Sequence, residues 1–244
     1  MKSQKSFMPT MVIVLIVMAQ FISSCSFADP LSIRGSGNKV TEKREVNNFT
    51  GLDVSGGFEV VLTQGTQHSL TIEGDDNLMS EIITEVRGGE LNIYTKGNVS
   101  PSVKMVAHIT FVNLEDIDIS GAVKVTATNN LTFNRLSIEG SGASKVEFFA
   151  EMNTLEADFS GASTVTLSGK ANTLTVGCSG ASKLYMADLQ SESASLELSG
   201  ASYAEVWVTE KLSIEASGAS DVRYKGEPKD INSDTSGASK VRKL

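Results

Sequence analysis

Along residues 113–244 apolar and polar side chains alternate with a period of two, the pattern of strands with one buried face, and no segment keeps a helical period. A four-residue motif punctuates the alternation: Ser120-Gly121-Ala122-Val123, Ser141-Gly142-Ala143-Ser144, Ser160-Gly161-Ala162-Ser163, Ser179-Gly180-Ala181-Ser182, Ser199-Gly200-Ala201-Ser202, Ser217-Gly218-Ala219-Ser220 and Ser236-Gly237-Ala238-Ser239. The successive serines lie 21, 19, 19, 20, 18 and 19 residues apart, which is too even for chance. Five and three residues before a motif serine stand apolar pairs such as Leu136 and Ile138, Leu155 and Ala157, or Leu212 and Ile214. Five and seven after it stand Val146 and Phe148, Val165 and Leu167, or Val222 and Tyr224. Each copy therefore predicts two short strands around one tight turn.

One such unit cannot bury its apolar face, whereas copies stacked about 4.8 Å apart can. At about 3.3 Å per residue, a copy closes a path of roughly 60 Å, a reasonable circuit for one coil. The predicted fold is all-β: a single-stranded β-helix, or solenoid, with coils of about 19 residues and a column of Leu, Ile and Val inside. Full burial of each such side chain contributes about 1.5–3 kcal/mol. The motif glycine is expected to supply a backbone conformation closed to residues with a Cβ. The stacked serines are expected to exchange hydroxyl hydrogen bonds from coil to coil.

Residues 46–112 are strand-like but less regular. Ser55-Gly56-Gly57-Phe58 reads as a degenerate first copy of the motif, and Ile82 to Val86 and Leu91 to Tyr94 flank a hairpin turn. Terminal repeats must close a stack, so 46–112 is expected to be an irregular N-terminal β cap continuous with the solenoid, a separate small domain being the competing reading. At the other end Lys240, Arg242 and Lys243 place charge on a terminal strand, which discourages edge-to-edge growth.

The first residues combine Lys2 and Lys5 with an apolar run from Met11 to Met18, the shape of a secretory signal and too short for a stop-transfer span. Ile22-Ser23-Ser24-Cys25 resembles a bacterial lipobox, which implies cleavage of 1–24 and acylation of Cys25; an ordinary cleaved signal or an uncleaved anchor are the alternatives. Several acyl chains on Cys25 hold a protein to a bilayer without spanning it. Ser26, where Asp would suggest inner-membrane retention, points to an outer-membrane lipoprotein facing either side. Residues 25–45, rich in Ser, Gly, Asn and charge, read as a tether.

Cleavage would move the net charge from −8 to −10, and an acidic chain repels nucleic acid. The only other cysteine is Cys178, so an acylated Cys25 leaves no intramolecular disulfide. Outward positions form columns. Two residues before the motif serine stand Asp118, Glu139, Asp158, Gly177, Glu197, Glu215 and Asp234; four after it stand Lys124, Lys145, Thr164, Lys183, Tyr203, Asp221 and Lys240. Like charges about 5 Å apart repel by order 1 kcal/mol even in water. Three offsets compete: solvent and salt, neutralisation across the turn, and bound cations such as calcium. Tyr185 and Tyr203 are expected to point outward, with Trp207 one residue off the inward register.

The SGAS repeats, the opening Phe49 to Phe58 (Phe-x-x-Leu-x-Val-Ser-Gly-Gly-Phe) and Gly74-Asp75-Asp76-Asn77 together resemble the DUF2807 family, the head GIN domain of adhesin-like exported lipoproteins of Bacteroidetes, over about residues 46–240. The resemblance implies a right-handed β-helix and export, and carries over no catalytic residue and no cofactor.

Two functions follow. The first is a non-catalytic surface for a polysaccharide or a cell-surface protein, presented by the two columns and by Tyr185 and Tyr203. The second is a carbohydrate-active enzyme, a polysaccharide lyase or hydrolase on a β-helix, which needs a local carboxylate pair or a metal where this chain spreads its acids evenly. Motif serines as nucleophiles find no base, since the only histidines, His68 and His108, lie outside the repeats.

Overall fold

Wherever the alternation runs, the chain is strand, and the strands stack. In the computed structural model, which describes residues 32–244, Lys145–Phe159, Thr164–Cys178, Lys183–Leu198 and Tyr203–Ala216 each trace most of a coil. Consecutive coils pair in parallel, one repeat out of register in sequence. Leu136, Leu155, Leu174, Ala194, Leu212 and Ile231 follow one another up one side. Val125, Val146, Val165, Leu184, Ala204, Val222 and Val241 follow one another up another. The result is a β-solenoid of about seven turns with no α-helix among the described residues.

The inward positions chosen from the alternation are buried, with one departure: Tyr224 is only partly covered, because it sits on the penultimate layer of its side, under Lys240–Lys243 alone. Uneven copy lengths are absorbed as bulges. Ala187–Leu189 go unpaired toward the next coil, between Met186, paired with Val206, and Gln190, paired with Trp207, and Leu189 turns into the core.

Gly161 has φ 83°, and a Cβ there would lie 2.4 Å from the carbonyl oxygen of Gly142 in the preceding coil. The close approach has a purpose: the N–H of Ala162 donates to that same oxygen at 2.8 Å, and every motif turn down to Gly237 repeats the arrangement. Glycine is thus needed twice, for its left-handed backbone and for the missing Cβ. The serines meet the expectation only in part: the hydroxyls of Ser182 and Ser217 donate to the carbonyls of Gly161 and Leu198 in the preceding coil at 3.5 and 3.4 Å, but none bonds to a stacked hydroxyl among the described residues. The buried ones occupy the fourth motif position, and Ser144, Ser202 and Ser220 donate to the carbonyl of the first serine of their own turn at 3.2, 2.9 and 2.9 Å. Turn geometry wins because that carbonyl is three residues away, whereas the next hydroxyl is a coil away.

Gly51–Gly56 lies in parallel register on Asp116–Gly121, with Ser55 opposite Ser120 and Gly56 opposite Gly121, so the degenerate motif is the first turn of the stack. The chain between folds back over the open end. Glu90–Thr95 stacks parallel on Gly51–Gly56, and Ile82–Arg87 closes it antiparallel as the expected hairpin. Met105–Phe111 stacks parallel on Phe58–Gln64, followed antiparallel by Ser69–Asp75 and then Lys39–Arg44. All these strands belong to one 17-stranded sheet over one hydrophobic core.

Within residues 33–44, expected to be open tether, two segments are strand instead. Ile33–Arg34 pairs with Val99–Ser100, and Lys39–Arg44 is the outermost strand of the cap. The fully buried Asp75 fixes the segment by accepting hydrogen bonds from the N–H groups of Gly37, Ser102 and Val103 at 2.7, 2.9 and 3.1 Å. Burial pushes its carboxyl up, but these three donors outweigh burial and hold it below the usual carboxylate range. The segment's polar composition is that of an edge strand bound through its backbone. The signal segment 1–24 and Cys25 lie outside the described residues.

Gly161→Ala is expected to destabilise the protein by about 3 kcal/mol, the sum of a left-handed alanine and a displaced interstrand hydrogen bond. Gly57→Ala, with nothing within 4 Å of its Cβ, is expected to change stability by less than about 0.5 kcal/mol. Urea denaturation of the two variants measures the difference; equal effects would remove the turn from its structural role.

Candidate functional site

The position two before the motif serine lies between two buried positions and therefore faces out, beside the turn. Register aligns Asp53, Asp118, Glu139, Asp158, Gly177, Glu197, Glu215 and Asp234 into one column. Between this column and the motif serines runs a groove of about 960 Å³, with Phe159, Cys178 and Leu198 in its floor. All six acids chosen from the sequence are thus brought together. Asp53 joins them; it stands two before Ser55, a signal hidden by the irregular first motif. Burial pushes the Cys178 thiol up to about 11, so it is an inert part of the floor.

None of the groove carboxylates makes an ion pair with another described residue, and neutralisation across the turn, one of the three expected offsets, is not formed. Lys145 pairs along its own strand with Glu147 at 2.8 Å. Relief comes in part from Gly177: a Cβ there would overlap Asp158 Oδ1, so the carboxylate of Asp158 leans into the gap the glycine leaves. Among the described residues no group of three His, Cys, Asp or Glu is arranged to hold a metal ion. The carboxylates stand side by side, one per coil. At Asp118 burial first, then Glu139, Glu90, Asp53 and Asp116, push the carboxyl up to about 6.

The second column lies on the other side of the turn, so the candidate residues fall into two sets and not one site. Lys124, Lys145, Thr164, Lys183, Tyr203, Asp221 and Lys240 align, and beside them run Thr126, Glu147, Thr166, Tyr185, Glu205, Arg223 and Arg242. Asp221, acidic in a mostly basic column, is met by Arg242 at 2.7 Å and Arg223 at 3.4 Å. Tyr185 is exposed and its ring centroid lies 5.7 Å from that of the half-buried Tyr203. Arg223 covers Tyr203 at 5.3 Å, and the Tyr203 hydroxyl donates to Glu205; burial first, then that bond, push the phenol up to about 12. Trp207, half-buried on the outer surface, carries Lys225 at 4.3 Å over its ring.

A third column escaped the reading of the sequence. Between buried Met152 and Leu155 two consecutive residues, Asn153 and Thr154, are not turned inward, which makes a corner. There Asn153 Nδ2 donates to Asn134 Oδ1 at 2.8 Å, and Asn172 Nδ2 donates to Asn153 Oδ1 at 3.0 Å. Its signal was present: asparagine stands seven residues before Ser55, Ser120, Ser141, Ser160 and Ser179, as Asn48, Asn113, Asn134, Asn153 and Asn172. In the later copies the same place holds Glu192, Glu210 and Lys229, of which the last two pair at 2.7 Å.

Because the folded carboxyl of Asp118 sits near 6 against an ordinary 3.8, the folded state holds its proton more tightly, and stability falls as pH rises from about 4 to 6. Asp118→Asn is expected to flatten that segment of the stability–pH curve and to stabilise the protein at pH 7 by order 1 kcal/mol after solvent screening. Thermal melts of both proteins between pH 4 and 7 decide it; parallel curves would contradict the assignment.

Comparison with known proteins reports the same architecture. The family described as "Putative auto-transporter adhesin, head GIN domain" (DUF2807) matches residues 48–228. Among solved structures, a putative adhesin of Bacteroides fragilis superposes with a TM-score of 0.80 at 24% identity, covering 87% of this chain and 100% of its own. A putative lipid binding protein of Parabacteroides distasonis gives 0.73 at 20%, covering 87% of this chain and 99% of its own. A putative adhesin of Parabacteroides merdae gives 0.73 at 17%, with the same two coverages, 87% and 99%. A comparison with curated proteins gives no match. With the first-turn opening and six of its seven motif turns inside the matched span, the chain belongs to the DUF2807 family.

Proposed function

We propose that this protein is a non-catalytic, adhesin-like binding module, exported, held at the outer membrane by lipid on Cys25, and used to grip a polysaccharide or cell-surface polymer. One observation carries the reading: strict coil-to-coil register turns single residues into straight columns, so the outer surface repeats at the interstrand distance of about 4.8 Å. A polymer of comparable repeat meets the same groups again on each coil, and many weak contacts add without any one being strong. Lys124, Lys145 and Lys183 with Tyr185 and Tyr203 supply charge and stacking surface on one side of the turn, and the acidic groove supplies acceptors on the other. The family's adhesin description and the adhesin relatives support the non-catalytic role.

A second reading has one observation in its favour. Asp118, whose carboxyl is pushed up to about 6, stands in register with Glu139 and Asp53 on adjacent strands, and a raised carboxyl with a second one near it is the pair a glycosidase works with.

A glycan array probed with the chain, followed by product analysis on every glycan bound, separates the two. Binding without release of reducing ends is expected, and Lys145→Ala with Tyr185→Ala is expected to weaken it about tenfold, the loss of one or two contacts. Chain cleavage abolished by Asp118→Asn would replace the module by an enzyme. For the anchor, growth with an alkyne fatty acid is expected to label the wild type and not Cys25→Ser; equal labelling would overturn it.

A further inference from the structure

The asparagine corner does not end alike at its two ends. Continuing the register of Asp116 with Ser137 and with Gly51 by three residues places Asn113 over Asn134 and Asn48 over Asn113. Unlike Asn134, Asn153 and Asn172, these two side chains hydrogen-bond to no described residue. They line a recess of about 530 Å³ at the N-terminal end of the solenoid, where the loops before Gly51, after Gln64 and after Phe111 converge. Thr50, Thr66, Gln67 and His68 complete its polar wall; Val46, Phe49 and Val112 form the apolar part. His68 meets the edge of Phe49 with ring centroids 4.5 Å apart, and its Nδ1 is buried without a partner.

Three features define what fits. No lining residue carries a carboxylate, ammonium or guanidinium, in a chain of net charge −8, so a charged ligand entering the recess would lose hydration with no opposite fixed charge to offset it. Each free amide presents a donor and an acceptor side by side, the complement of two neighbouring hydroxyls. Apolar wall on the remaining side suits a C–H face, and the volume is at the small end of the range of small-molecule sites. We propose that this recess binds one or two residues of a neutral saccharide, with Asn48, Gln67 and Asn113 as its hydrogen-bonding set and His68 in its wall. The choice of ligand class rests on the glycan-binding reading above; the site itself lies at a different place from the outer columns.

The chain has only two histidines, and His108 sits on the outer face of the cap beside Glu73, so imidazole signals in NMR report the recess against an internal control. Lactose, cellobiose, maltose and mannobiose are titrated separately into the full chain, with glucuronic acid as the charged comparison. At least one neutral disaccharide is expected to shift His68 and leave His108 unmoved. Asn48→Ala/Asn113→Ala, both at exposed positions, is expected to weaken that binding about tenfold or more with an unchanged Tm, since two hydrogen-bonding groups are lost. Lys145→Ala/Tyr185→Ala is expected to leave it unchanged. His68 silent to every neutral disaccharide, an equal response in the double asparagine variant, or a stronger response to glucuronic acid would each overturn the site. Array binding that persists while His68 stays silent would sink this site alone, whereas loss of array binding would sink the module.

Discussion

Everything in this molecule depends on the parallel hydrogen-bond ladder that sets each residue beside its own counterpart one repeat away. A globular core mixes residues from distant elements, but here each position has only itself, one coil above and one below, as its main neighbour. Leu155 packs between Leu136 and Leu174, and Asn153 bonds to Asn134 and Asn172. Favourable pairings are therefore multiplied along the axis, and so are unfavourable ones. The asparagine corner and the acidic groove are the two signs of that one rule.

The ladder closes only if the turn between its two sides costs little at every level. Glycine meets this by combining a left-handed backbone with an open path for the next coil's N–H, so a single missing methyl group sets the coil-to-coil distance at the tightest point. Elsewhere glycine makes room for a neighbour. A Cβ on Gly140 would strike the ring of Phe159 and one on Gly177 would strike Asp158, so exceptions to a column are places where the adjacent residue is larger or more charged than the column tolerates.

A stack of parallel strands has two open ends, and the N-terminal one is closed by a change of pairing. Residues 65–115 leave the first coil, return over it, and end in antiparallel strands that the next coil cannot extend. The latch at Asp75 and the ion pair of Lys39 with Glu73 hold the outermost strand in place. The same excursion breaks the repeat at its corner, and that interruption frees Asn48 and Asn113 from the amide chain and opens the recess beside His68.

By itself the sequence determined the strand period, the coil length, the inward face and the place of the turn, because a repeat forces every copy to obey one local pattern. It also determined the outer columns, since register follows from the spacing of Ser120 to Ser236. Only the tertiary structure decided that the acids face a groove while the lysines lie beyond the turn, that Asp158 leans over Gly177, and that burial and its neighbours push the carboxyl of Asp118 up. Those are side-chain outcomes between neighbours, which spacing ranks equally. It alone showed that Lys39–Arg44 is an edge strand, because an edge strand bound by its backbone has the composition of a linker. The recess around His68 was least legible of all: Asn48, Gln67 and Asn113 meet there through three loops that break the repeat, and a pattern carries no information where it is interrupted.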